Sequence, residues 1–317
     1  MIAVTGEALI DMVVDQDARI RAQPGGGPFN TARTIGRLGL VPAFLGRLST
    51  DRFGRLLQSS LARDGVMLAV PELVDVPSTL AAVDVDAGGA PRYRFYLADT
   101  SAGALEYPLL SAALPATVNA LYSGSLALVM EPIATSIDRL IASDMQPSTL
   151  VMIDPNCRPE AITDADAYHA RLSRILRRAD VVKVSVEDLA YLRPGMSARS
   201  AAADLLKSGP ALILVTDGPR SARAFLPGKE MSVDVPAVTV VDTIGAGDAF
   251  GGAFLGWWSH NELTKSDLRR PGPVRDAVQA AAEVASLTCT RAGAEPPWLA
   301  ELSPRQAWRS VLRATRS

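Results

Sequence analysis

Cysteine, histidine and lysine are scarce in this 317-residue chain, and each scarcity closes a chemical route. Cys157 and Cys289 are too few and too far apart for a disulfide framework or a zinc site, so both are read as reduced thiols. The only histidines, His169 and His260, lie in polar surroundings, which places both at the surface and argues against a histidine base. Four of the 32 basic residues are lysine, and 32 basic against 34 acidic residues leave a formal charge of −2. Nothing in that balance draws the chain to nucleic acid or to an anionic membrane. No apolar run reaches the roughly 18 residues that span a bilayer. The N-terminus opens at once on a strand, Ile2-Ala3-Val4-Thr5, without a basic leader, so the expected address is cytoplasmic. The P-loop G-x-x-x-x-G-K-[ST], the protein-kinase H-R-D and D-F-G motifs and the zinc-protease H-E-x-x-H are all missing. With no repeat and no low-complexity segment, residues 1–317 are expected to form a single domain.

What is present centres on Asp242-Thr243-Ile244-Gly245-Ala246-Gly247-Asp248, between a β-rich run (Val238 to Val241) and a helical one (Ala249 to Trp258). A strand that breaks into small residues and then starts a helix leaves several N–H groups unpaired at the positive end of the helix dipole. Gly245, Ala246 and Gly247 offer little or no side chain to keep a phosphate from those amides. Asp248 puts a carboxylate in the first turn, where it either caps the helix or accepts a proton beside a bound anion. On the second reading it deprotonates a substrate hydroxyl while the amides stabilise a phosphoryl group in flight.

The heptapeptide resembles the D-T-x-G-A-G-D signature of the ribokinase-like (PfkB) carbohydrate kinases at every specified position. A second stretch, Gly25-Gly26-Gly27-Pro28-Phe29-Asn30 followed by the helical run Thr31 to Leu38, is similar to that family's N-terminal G-G-x-x-x-N signature. The triglycine is not a dinucleotide fingerprint, since neither its spacing nor a surrounding βαβ unit fits. By this resemblance Asp248 is the catalytic base and Gly245, Ala246 and Gly247 form the anion hole. Asp11, Gly25, Gly26, Gly27 and Asn30 then contact the sugar, whereas Asp51 to Gly54 start a helix structurally. The family also implies K⁺ beside the anion hole, held by oxygens of Asp242 and Ile244.

Leu121 to Ser125, Leu150 to Asp154, Val181 to Val184 and Leu212 to Thr216 read as buried parallel strands, each followed by a helix. The fold class is therefore a three-layer α/β/α, doubly wound, mostly parallel sheet, with ligands beyond the carboxyl ends of its strands. Ser78 to Asp86 and Arg92 to Leu97 alternate as a hairpin. By the family resemblance they build, with part of the Asp11 segment, a small β-sheet lid over the sugar from about 7–22 and 74–98; by pattern alone they are equally an ordinary edge hairpin. Tyr93, Phe95 and Tyr96 either close over the sugar or pack between two lids in a homodimer.

Three clusters lie at the strand ends. Asp154-Pro155-Asn156-Cys157-Arg158 resembles the D-P-N-x-R of fructokinases and 2-keto-3-deoxygluconate kinases, where Arg158 either orients substrate or pairs with a neighbouring acid. Lys183-Val184-Ser185-Val186-Glu187-Asp188 is similar to the family's N-x-x-E motif, with Ser185 in place of Asn. Either Glu187 or Asp188 then organises Mg²⁺, or Ser185 merely caps a helix whose first turn is acidic. Val215-Thr216-Asp217-Gly218 resembles the nucleotide-binding V-T-x-G segment, placing Thr216 and Gly218 near ATP. The small-residue run Ala281 to Thr290, including Cys289, is where the family holds adenine.

The resemblance implies an ATP- and Mg²⁺-dependent sugar kinase closest to the fructokinase branch, with a small-molecule sugar as substrate. A 2-keto-3-deoxygluconate kinase, for whose carboxylate Arg158, Arg92 or Arg94 are available, and a nucleoside kinase are the alternatives within the family. From another class, a non-catalytic sugar or nucleotide sensor would have no use for the Asp248 base.

Overall fold

The computed structural model describes residues 1–14, 19–85, 91–303, 305–309 and 311, except the side chains of 83–85, 91, 92 and 306. The sequence from Pro304 to Arg316 also reads as a final helix, and most of it lies outside that set.

Along the chain come β1 (Ile2–Thr5), β2 (Leu9–Val14), β3 (Ile20–Gly25), α1 (Gly27–Arg37), β4 (Ala43–Leu45), α2 (Arg52–Arg63) and β5 (Met67–Leu68). The hairpin β6 (Leu80–Val85) and β7 (Pro91–Tyr96) follows, then α3 (Tyr107–Ala112), β8 (Ala120–Gly124), α4 (Ile133–Ser143), β9 (Leu150–Asp154) and α5 (Ala165–Arg178). The last third holds β10 (Val181–Ser185), α6 (Val186–Leu192), α7 (Ala198–Lys207), β11 (Leu212–Thr216), β12 (Ser221–Leu226), β13 (Lys229–Asp234), α8 (Ala246–His260) and α9 (Pro271–Thr288).

Nine strands form the main sheet in the order β13-β12-β11-β10-β9-β8-β1-β4-β5. From β5 to β11 all neighbours are parallel, while β12 and β13 run antiparallel. Because side chains alternate along a strand, each parallel strand feeds two cores. Ile2, Val4, Tyr122, Met152 and Leu214 pack with α1, α2, α8 and α9 on one face. Ala3, Leu121, Val151, Ile153 and Ile213 pack with α3 to α7 on the other. The expected three-layer architecture is therefore present, with one correction. The strand at Leu212–Thr216 runs into an antiparallel hairpin rather than a helix, because Asp217-Gly218 makes a tight turn closed by Asp217 N–H to the Ser221 carbonyl, 3.1 Å.

A second sheet of four strands, β3-β2-β6-β7, stands apart from the first. Its outer pairs are antiparallel and β2 lies parallel to β6. Between β1 and β8 the main sheet's winding reverses, so a crevice opens beyond Thr5 and Gly124, where an open α/β sheet binds its ligands.

Asp51 ties the two layers together. It N-caps α2 through the Gly54 amide, 2.7 Å, and accepts from the amide and hydroxyl of Ser78, both at 2.8 Å, just before β6. The expectation of a structural role for Asp51 to Gly54 holds. Asp51→Ala should lower stability by about 1–2 kcal/mol, the scale of a lost cap, as read from the midpoint of urea unfolding.

Candidate functional site

The first turn of α8 is built around Gly245, its N-cap, at φ +75°. Only glycine fits there, since a Cβ would stand 2.4 Å from that of Ala294. The first intrahelical bond from this end runs from the Ala249 amide to the Gly245 carbonyl, 2.8 Å, so the amides of Gly247 and Asp248 precede the ladder. The expected strand over Val238 to Val241 is absent. With β13 ending the sheet, those β-branched residues have no strand to pair with, and Val240 and Val241 are exposed. The segment is pinned instead by the Cys289 carbonyl, which accepts from Val241 at 2.8 Å and Asp242 at 3.2 Å. The Asp242 carboxylate accepts from Ile244, 3.0 Å, and from Gly293, 2.9 Å, fixing the turn from both sides.

Asp248 is the third residue of the helix and is buried. Asn30 donates its Nδ2 to Asp248 Oδ2 at 2.9 Å, and the Thr31 hydroxyl donates to the Asp248 carbonyl at 3.2 Å, locking α1 onto α8. Burial pushes the carboxyl up to about 6, against the lowering effect of the Asn30 bond. Among the described residues the Asp248 carboxylate accepts from Asn30 and from no amide of the first turn, so the capping role gains no support. Asn30 Oδ1 is itself buried, with no hydrogen-bond partner among the described residues.

A cavity of about 230 Å³ opens in front of this carboxylate. Asp11, Gly26, Gly27, Asn30, Arg158 and Asp248, all expected from the sequence, line it. Gly25 does so indirectly: a Cβ there would stand 1.9 Å from Asp11 Oδ2, so the missing side chain lets Asp11 turn inward. Burial pushes Asp11 up to about 7, helped by the nearby Asp248 charge and opposed by Arg158. Tyr93 and Phe95 also line the cavity, stacked with ring centroids 5.9 Å apart, while Tyr96 is exposed on the other face of β7. Arg158 donates to the carbonyls of Cys157, 3.0 Å, and Asn156, 3.3 Å, and makes no ion pair with a described acid. The Arg92 side chain lies outside the described residues, and Arg94 is exposed.

Several lining residues escaped the sequence reading: Glu7, Ser125, Asn156 and Lys183. Glu7 is fully buried, and its two oxygens accept from Gly27 and Ala127, each at 3.0 Å, so it holds the glycine turn against the segment after β8. Burial pushes its carboxyl up to about 7. A charged residue directly after a buried strand was the available signal.

The remaining expected residues divide. Ser185 caps α6 in a reciprocal box with Asp188, whose oxygens accept from Ser185, 2.8 Å, and Cys157, 2.7 Å. Glu187 beside it is exposed. Thr216 and Gly218 line a second cavity of about 130 Å³ with Ala246, Gly247, Phe250, Ala282 and Ala285. Gly247 borders both cavities. Cys289 does not line this second cavity; it caps α9. The two histidines are half-buried rather than at the surface: His169 stacks on Tyr191, and His260 Nε2 donates to the Leu38 carbonyl at 2.7 Å. Both cysteines are free thiols. No described helix is long and apolar enough to cross a membrane.

This arrangement suits an enzyme that brings a polyhydroxyl substrate and a second, flatter ligand to one helix start. Residues 1–301 match the pfkB family carbohydrate kinases, and the chain belongs to that family. It is 33% identical over 263 residues to a fructokinase of Rhizobium leguminosarum bv. trifolii, covering 80% of this chain and 78% of that one. A fructokinase of Vibrio alginolyticus is 29% identical over 294 residues, 92% of this chain and 93% of that one. Among solved structures, the fructokinase of Vibrio cholerae O395 in its fructose-, ADP- and calcium-bound form superposes with a TM-score of 0.80 at 29% identity, covering 92% and 94% of the two chains. The ATP-bound fructokinase of Xylella fastidiosa gives 0.84 at 26% identity, covering 100% and 99%. The chain is thus a carbohydrate kinase, which removes the sensor reading.

Gly245→Ala should displace the Ala294 loop and tilt the amides of the first turn. Loss of such donors lowers turnover by about 10²- to 10³-fold, and steady-state kinetics should show that fall with the KM for sugar little changed.

Proposed function

We propose that the chain transfers the γ-phosphoryl group of ATP to a hydroxyl of fructose. The observation that carries this reading is the position of Gly247, which borders both the polar cavity and the small-residue cavity. A sugar hydroxyl beside Asp248 and a triphosphate entering past Thr216 and Gly218 then meet at the first turn of α8. Fructose is the ligand of the similar Vibrio cholerae enzyme and the substrate named for the curated relatives.

The sugar binds by hydrogen bonds to Asp11, Asn30 and Arg158, with the Gly26 and Gly27 backbone close beneath and Tyr93 and Phe95 above. Asp248 removes the hydroxyl proton as the oxygen attacks in line, and the Gly247 and Asp248 amides stabilise the charge on the transferring group. Closure of the β3-β2-β6-β7 sheet as a lid excludes the water that competes for the phosphoryl group. Adenine lies against the small residues Ala282 and Ala285, and Ser185 with Glu187 lines the path of the triphosphate.

For the metal, the residues fit a water-mediated site: both Asp188 oxygens are engaged by backbone amides, whereas the exposed Glu187 carboxylate accepts no hydrogen bond among the described residues. Mg²⁺ held through Glu187 would neutralise phosphate charge. Asp242 and the Ile244 carbonyl are the oxygens that would take K⁺. Strand register turns Met12, Ile20 and Tyr96 to the side of the lid away from the cavity, and Ile20 and Tyr96 are exposed there, which supports a homodimer through this face.

ADP release should be measured with fructose, ribose, 2-keto-3-deoxygluconate, adenosine and a no-sugar blank. Turnover far above blank with fructose alone supports the reading, and preference for another acceptor overturns it. Asp248→Asn should cut turnover by about 10²- to 10⁴-fold, while fructose affinity stays near normal by calorimetry.

The raised Asp248 carboxyl also fixes a pH profile. Its base form exists above a pH of about 6. Turnover should therefore be flat above that value and fall about tenfold per unit below it, measured as kcat at saturating substrates.

A further inference from the structure

Lys183 is one of four lysines and is almost wholly buried, on β10 two residues before that strand meets α6. Its Nζ donates to Asp154 Oδ2 at 2.6 Å, also at a buried strand end. An ammonium has three donors, and among the described residues only Asp154 takes one of them. The pair is also unbalanced on its other side: Asp154 Oδ1 is buried without a partner among the described residues, and the Tyr122 hydroxyl donates to Oδ2 at a long 3.3 Å. Burying such a pair is a weak route to stability, because apolar side chains of the same volume hold a fold as well or better.

The geometry points elsewhere. Lys183 lines the polar cavity, and a Cβ on Gly247 would stand 3.3 Å from its Nζ. The ammonium therefore lies directly against the first turn of α8, beside the Gly247 and Asp248 amides that precede the helix ladder. Burial disfavours its charge, yet Asp154 outweighs that and holds Lys183 above the ordinary lysine range, so it stays cationic and accepts no proton.

Resting on the kinase reading above, we propose that Lys183 is a catalytic residue whose ammonium touches the transferring phosphoryl group beside the Gly247 and Asp248 amides, with Asp154 as its positioning residue. In this step the sugar oxygen loses its proton to Asp248 and forms the new O–P bond. The bond from the γ-phosphorus to the bridging oxygen breaks, and its electron pair leaves on ADP. Lys183 remains protonated throughout and contributes only fixed positive charge where negative charge gathers. A compact, point-like ammonium suits this contact, whereas a guanidinium would spread the same charge over a planar fork and shift it relative to Gly247.

Lys183→Met alone would strand the Asp154 carboxylate and destabilise the fold, so the decisive variant is the double substitution Lys183→Met with Asp154→Asn. Thermal unfolding establishes that it folds, and calorimetry on the intact chain then measures ATP, ADP and fructose binding with Mg²⁺ present. The expected result is ATP binding weakened at least tenfold, ADP and fructose binding within about threefold of the parent, and kcat lower by about 10²- to 10³-fold. Equal weakening of ATP and ADP, or turnover within a few-fold of the parent, would overturn the proposal and leave the pair structural. Should the double variant not fold, Lys183→Arg, which keeps the charge on Asp154, reads the same ATP-to-ADP ratio: a selective loss for ATP supports the contact and an unchanged ratio overturns it. If the parent chain fails to turn over fructose, the sugar assignment fails, yet the ATP-to-ADP ratio still decides the role of Lys183.

Discussion

The molecule is arranged around a helix start that has no room for a side chain. Gly245 takes a left-handed conformation against Ala294, and from that point Gly247 and Asp248 in the first turn of α8 line the cavity. Almost every other feature of the site serves to hold this turn in place. The Cys289 carbonyl and the Gly293 amide pin the preceding loop, and Asn30 and Thr31 lock α1 to the helix. Farther back, Arg33 and Arg37 of α1 share the buried Asp64 and reach the Glu295 carboxylate, and they donate to the carbonyls of Ala294 and Pro296, 3.0 and 2.7 Å away. The helix that carries Asn30 thus also fixes the loop that carries Ala294.

A second constraint is electrostatic. Glu7, Asp11 and Asp248 face one cavity with Arg158 and Lys183 as the opposing charges. Burial raises all three carboxyls, and the nearby Asp248 charge raises Asp11 further. Their duties separate by partner. Glu7 is held by two backbone amides and is structural; Asp11 is turned inward by the missing side chain of Gly25; Asp248 takes the Asn30 amide on one oxygen and no hydrogen bond on the other among the described residues.

Much of this was legible in the sequence because it depends on local chemistry. The parallel strands announce themselves as short apolar runs, and the glycine motifs mark close backbone approaches that no other residue permits. What the sequence hid depends on distant partners. Val238 to Val241 has strand composition but no neighbour to pair with, so tertiary context overrides propensity. Glu7 and Lys183 read as ordinary charges beside strands until β8 and α8 close over them. Ser185 and Asp188 satisfied the capping and the metal readings equally in sequence; the bonds from Cys157 and Ser185 to Asp188 favour the capping role for that acid. His260 looked like a surface residue because the Leu38 carbonyl that binds it lies on a distant helix end.

The most direct test of the central claim is a crystal structure of the chain with fructose and a non-hydrolysable ATP analogue. The account predicts one sugar hydroxyl within about 2.6–3.2 Å of the Asp248 carboxylate, the reach of a general base, with the γ-phosphate against the Gly247 amide. A complex in which the sugar's hydroxyls leave Asp248 untouched, or the triphosphate avoids the start of α8, would contradict it.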